Sequence, residues 1–127
     1  MKPILSRYLA CLLIPPAVGA ASFLAIAIVD SYPNVRLVET LGGGGVFFVF
    51  GFVCCFIPGH LFHFGMEAAP RLCPAIASER ALYTAAGAVA GLACGLLIAL
   101  ALPAPALMAS IGALAGTVTA TANFAKL

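Results

Sequence analysis

Apolar residues gather in four long runs, and charged residues stand outside all of them. The runs extend from Tyr8 to Val29, Leu41 to Met66, Ala81 to Leu102 and Ala106 to Ala125. A helix needs about 20 apolar residues to cross the hydrocarbon core of a bilayer. Inside lipid, every backbone N–H and C=O must be satisfied within the protein, so runs of this kind must be helical. The pattern predicts an all-α, polytopic membrane protein with four transmembrane helices, forming a single domain over residues 1–127.

Composition agrees with that reading. The chain is 64% hydrophobic and 8% charged, whereas a soluble domain carries roughly 25% charged residues. A net charge of +2, carried by scattered basic residues, offers no patch for nucleic acid. The first run could be mistaken for a signal peptide, because Lys2 and Arg7 precede it and Ala17, Gly19, Ala20 and Ala21 supply small residues. It extends well beyond the roughly 7–15 residues of a signal-peptide core. It is therefore expected to remain as an anchor.

Basic residues set the expected orientation. With four spans, Lys2, Arg7, Arg71, Arg80 and Lys126 fall on one side and Arg36 on the other. The positive-inside rule then places the N- and C-termini in the cytoplasm, with Asp30 and Glu39 at the outer face. Short loops and an Ala- and Gly-rich composition point to a bacterial inner membrane. The loops have distinct characters. Ser31-Tyr32-Pro33-Asn34 reads as a turn. Glu67 to Arg80 reads as the main cytoplasmic loop, with Pro70 and Pro74 expected to break any long helix. Pro103-Ala104-Pro105 leaves so little chain that segments three and four must form a tight antiparallel hairpin.

Small residues supply a candidate packing surface. Segment three carries Gly87, Gly91 and Gly95, and segment four carries Gly112, Gly116 and Ala120, each set spaced by four. Residues four apart share a helix face, and small residues there let helix backbones approach closely. In an antiparallel hairpin, facing residues have a constant sum of positions. The pairs Gly95 with Gly112, Gly91 with Gly116, and Gly87 with Ala120 share one sum, whose centre falls between Pro103 and Ala104. The two faces are expected to pack on each other, the alternative being a subunit interface on one of them.

Segment two is unusual. It begins with Gly42, Gly43, Gly44 and Gly45, and later carries Pro58 and Gly59. These residues allow two readings. One is a broken helix whose freed backbone groups line a ligand or ion site; the other is a long helix whose ends fray into the interfaces. Phe47, Phe48, Phe50, Phe52, Phe56, Phe62 and Phe64 also lie here and do not keep to one face.

Candidate chemistry is sparse. Cys54, Cys55, His60 and His63 are soft or borderline donors that could hold copper or zinc. However, Cys54 and Cys55 point to different sides of a helix, and their spacing to the histidines fits no strong metal pattern. The plainer expectation is of interfacial imidazoles, with Glu67 near His63 at i+4. No cofactor is expected. Cys11, Cys54, Cys55, Cys73 and Cys94 all fall outside the outer loops, so no disulfide scaffold is expected. Thr117, Thr119, Thr121 and Asn123 crowd one end of segment four and suggest either a polar pathway or internally bonded hydroxyls.

No span contains a carboxylate, which proton- and ion-coupled carriers usually place within the membrane. Ser110 is expected far from both histidines, so no nucleophile–base pair is expected and the protein is not read as an enzyme. The expectation is of a small accessory, assembly or protective subunit acting through helix–helix association. Its partners would be the lipid bilayer and either another membrane protein or copies of itself. The alternative is a homo-oligomeric channel or carrier for a small solute.

Overall fold

The computed structural model describes residues 2–100 and 104–124. Every regular element among them is helical: α1 Lys2–Ser31, α2 Leu37–Leu72, α3 Ala75–Ser78, α4 Arg80–Ala99 and α5 Pro105–Phe124. Four of these, all but the short α3, are long and apolar enough to cross a membrane, as a multi-pass membrane protein requires. Parts of the sequence-based reading lie outside the described residues: the ends of segments three and four at Leu102 and Ala125, Pro103 of the last turn, and Lys126.

Helix lengths differ in a way that matters. At a rise of 1.5 Å per residue, α4 and α5 reach about 30 Å, the thickness of the hydrocarbon core. The 36 residues of α2 reach about 54 Å on the same basis and must project into the interfaces. Charges follow this rule. Glu39 sits in the first turn of α2 and Arg71 in its last, each with the sign that suits the helix dipole.

The structure corrects the sequence-based boundaries of segment two. The helix does not break at Pro70: it runs from Leu37 to Leu72 with Pro58 and Pro70 inside it. Likewise, α1 continues through Pro15 and Pro16, and the Gly42–Gly45 run is helical throughout. An interior proline costs a water-soluble helix about 3 kcal/mol or more. In a membrane bundle, neighbouring helices and small local adjustments re-satisfy the backbone groups that proline frees. The expected loop from Glu67 to Arg80 shrinks accordingly. Glu67 becomes a helical residue, and only the segment around Cys73, Pro74, α3 and Glu79 connects α2 to α4.

Helices α4 and α5 pack as a close antiparallel hairpin, and the glycines explain how close. A Cβ built on Gly91 would strike the Gly112 carbonyl oxygen and stand 2.8 Å from the Gly116 Cα. One on Gly112 would stand 2.9 Å from the Gly95 Cα, and one on Gly87 would strike the Ala120 Cβ. Here backbone lies directly on backbone, close enough for Cα–H···O contacts.

Helices α1 and α2 form a second antiparallel hairpin, held differently. Glycines of α2 seat the Leu24 side chain and the Pro16 position of α1. A Cβ on Gly44 would meet the Leu24 side chain at 2.7 Å, and one on Gly51 would lie 3.5 Å from Pro16. Near the turn between α1 and α2, Phe23 and Phe47 stack with ring centroids 3.8 Å apart. Pro15 has no N–H to offer the Cys11 carbonyl, and Gly59 approaches that same carbonyl at 3.1 Å from its would-be Cβ.

The two hairpins meet most tightly at one end. Cys11, Phe62, Met66, Tyr83 and Ala120 form the buried core there, drawn from all four long helices. An apolar cavity lined by all four long helices lies between the hairpins and reaches toward the other end.

Candidate functional site: a polar knot and an apolar cavity

At the tight end, the first turns of α1 meet the last turns of α2. Arg7, Tyr8 and Cys11 lie on one face of α1 because their spacings of three and four match the helical repeat. His60, His63 and Glu67 share a face of α2 for the same reason. The two faces join pairwise. Arg7 Nη1 lies 3.2 Å from Glu67 Oε1. The Tyr8 hydroxyl lies 2.6 Å from His60 Nε2, and His60 Nδ1 lies 2.6 Å from the Phe56 carbonyl. That carbonyl can only accept, so His60 carries its proton on Nδ1 and Nε2 accepts from Tyr8 when the ring is neutral. The His63 Nδ1 stands 4.0 Å from the Cys11 sulfur. The Tyr8 ring packs edge-on against both imidazoles, with centroids 5.4 and 5.2 Å away.

Helix α5 closes this knot. The Asn123 amide donates to the Arg7 carbonyl at 3.4 Å and to the Cys11 sulfur at 3.5 Å. Both Asn123 Oδ1 and Arg7 Nε are buried without a hydrogen-bond partner. Tyr83 of α4 is almost fully buried beside the knot, its ring 5.7 Å from that of Phe124. One polar network thus ties α1 to α2 and α5 at the end that carries the Arg7–Glu67 pair.

The sequence-based expectation paired His63 with Glu67 along α2. The structure instead gives Glu67 to Arg7 and places His63 beside Cys11. A tertiary ion pair across two helices displaces the local i,i+4 contact because it neutralises a charge that would otherwise be buried alone.

The candidate metal donors separate. Cys54 and Cys55 line an apolar cavity, while His60 and His63 belong to the knot. Among the described residues, no group of three His, Cys, Asp or Glu side chains is placed to hold a metal ion. Two threonine hydroxyls of segment four turn back on their own helix: Thr117 donates to the Ala113 carbonyl at 2.8 Å and Thr119 to Ala115 at 2.7 Å. Ser110 likewise donates to Ala106 at 2.8 Å. It sits at the opposite end of α5 from Asn123, and so away from the imidazoles.

The cavity is the feature that sequence reasoning missed. It has a volume of about 170 Å³, is partly open, and is bounded by α1, α2, α4 and α5. Pro15, Pro16 and Gly19 form one wall, and Cys54, Pro58 and Gly59 another. Gly91, Gly95, Gly112 and Gly116 also line it, so the close α4–α5 contact forms its floor. Its only signal in the sequence is an excess of residues with little side chain, Gly and Pro, at matching depths of several helices. Periodicity alone does not reveal an enclosed space.

No family model matches this chain, and neither the curated proteins nor the solved structures contain a significant match to it.

Proposed function

We propose that this protein is a non-enzymatic accessory, assembly or protective subunit of the bacterial inner membrane, with both termini in the cytoplasm. It acts by packing a helix of another membrane protein against α2. One observation carries this reading. Gly42 and Gly45 face open space, and a Cβ on either would meet nothing within 4 Å. They continue into Val46, Val49 and Val53 along one shallow groove. The three valines are 68%, 64% and 68% exposed. Spacings of three and four along 42, 45, 46, 49 and 53 make one continuous face of the kind a packed helix uses. Glycine permits close backbone approach, and valine loses little side-chain freedom on contact. By contrast, the glycine-bearing faces of α4 and α5 already pack on each other within the chain. The association surface is thus proposed for α2, not for the glycines that the sequence first suggested.

The non-enzymatic part of the proposal rests on committed side chains. Ser110 and His60 are both engaged in hydrogen bonds at opposite ends of the bundle. Site-directed photocrosslinking tests the association. A photoreactive residue at Val49, introduced into the protein in its native membrane, should give a discrete adduct with a different membrane protein, whereas one at Leu61 should not. Adducts to lipid alone from both positions would contradict the reading.

A second reading, a homo-oligomeric carrier for a small apolar solute, is favoured by the cavity between the hairpins. Self-adducts from Val49, together with solute flux in liposomes, would select it over the first.

A further inference from the structure

The cavity between the hairpins has a chemistry of its own. Its lining presents almost no hydrogen-bonding capacity. The Thr119 hydroxyl is spent on the Ala115 carbonyl at 2.7 Å. The Cys94 thiol donates to the Pro58 carbonyl at 3.4 Å. Water needs two to four polar partners to occupy a buried site, and these walls do not supply them. An apolar cavity of about 150 Å³ stays dry and accepts benzene or xenon, and this one is of that size at about 170 Å³. Left empty, its lining would forfeit dispersion contacts on every side.

Its shape and mouth narrow the choice. Lining residues run from Phe47 to Phe62 on α2 and from Leu107 to Thr119 on α5, a reach of about 18–22 Å along the bundle axis. The lining therefore extends along the bundle as a slot, whose volume of about 170 Å³ suits a segment of an extended chain and not its whole length. Ile26, Phe47, Phe50 and Leu107, one or more from each of α1, α2 and α5, line the cavity and are 42–50% exposed. All lie toward the end away from the polar knot, so the mouth is apolar and lies at membrane depth. What meets such a mouth is the hydrocarbon of the bilayer itself.

We infer that this slot is a binding site for the end segment of a hydrocarbon chain, taken up from a bilayer phospholipid through the apolar mouth between the hairpins. The bound chain acts as a packing element, filling the space between the two hairpins while the polar knot ties α1 to α2 and α5 at one end. The inference does not rest on the accessory reading, since a chain would occupy the slot with or without a protein partner.

Gly19 provides the test. It lines the cavity, and a Cβ there would meet nothing within 4 Å. A side chain at Gly19 therefore starts into open space at the cavity wall, and Gly19→Leu is the variant expected to occupy the slot. Gly65 also has open space around it but lies outside the cavity, so Gly65→Leu serves as the control. The full chain is reconstituted in vesicles containing phosphatidylethanolamine with a photoactivatable diazirine on one acyl chain. After illumination, labelled peptides are mapped by mass spectrometry. The expected result is label concentrated on the peptides around Cys54–Gly59 and Gly91–Gly95, most of it lost in Gly19→Leu and retained in Gly65→Leu. Even labelling of all outward faces in the wild type, or no change in Gly19→Leu, would overturn the inference. Should Gly19→Leu fail to fold, the same outcomes are read from Gly19→Ala and from displacement by unlabelled phospholipid. Displacement by a polyprenol but not by phospholipid would assign the slot to an isoprenoid chain and overturn the phospholipid source.

Discussion

Gly91 of α4 and Gly116 of α5 lie backbone to backbone: a Cβ on Gly116 would stand 2.9 Å from the Gly91 Cα and would strike the Gly87 carbonyl oxygen. Neither neighbour is the flexible end of a side chain, so neither can move aside without shifting a helix. Gly91→Ala should destabilise the protein by about 1–3 kcal/mol, and Gly91→Leu by about 3 kcal/mol or more. Gly45→Ala should be neutral or stabilising, since its site is open and alanine favours the helix by about 1 kcal/mol. Thermal unfolding in detergent checks all three. Equal melting temperatures for Gly91→Leu and the wild type would contradict the packing.

The Arg7–Glu67 pair joins α1 to α2 where both side chains are mostly buried, 14% and 31% exposed. Glu67→Gln leaves the guanidinium without its counter-charge. Its cost should be about 1–3 kcal/mol, below the 3–5 kcal/mol of a fully buried broken pair because water still reaches the site. Arg7→Gln combined with Glu67→Gln should recover part of that loss, and a double-mutant cycle reads the coupling directly. Additive single effects would show that the contact contributes nothing.

Tyr8→Phe removes the hydroxyl that lies 2.6 Å from His60 Nε2 while keeping the ring that packs on both imidazoles. The expected loss is about 1 kcal/mol. His60→Phe should cost more, because it also abandons the Phe56 carbonyl. Chemical unfolding monitored by circular dichroism separates the two. An unchanged Tyr8→Phe variant would remove Tyr8 from the knot.

Cys54 and Cys55 face the cavity while His60 and His63 face α1, so zinc or copper should not stabilise the purified protein. A thermal scan with stoichiometric metal reads this. A rise in melting temperature abolished by Cys54→Ser would instead mean that the four side chains converge.

Much of this architecture was legible in the sequence because the bilayer imposes severe rules. Apolar runs near 20 residues must be helices, and the short Pro103-Ala104-Pro105 connection dictates that α4 and α5 lie side by side. Other features escaped for physical reasons. Pro70 signals a helix end in water, yet α2 continues through it because a membrane bundle tolerates the lost hydrogen bond. Glu67 looked like a loop carboxylate because its partner, Arg7, is distant in sequence. The signal was nevertheless present. His60, His63 and Glu67 fall on one face, as do Arg7, Tyr8 and Cys11, and two polar stripes at the same depth of antiparallel helices are positioned to meet. The cavity left the weakest trace, because a space between helices depends on how the hairpins pack together and not on the pattern within any single helix.

Native mass spectrometry of the protein, released gently from its own membrane, tests the proposed association most directly when the wild type is compared with Gly45→Leu. The account predicts a reproducible complex with a different membrane protein, lost when leucine fills the α2 groove. A monomer or a homo-oligomer in both spectra, with no heterologous partner, would contradict it.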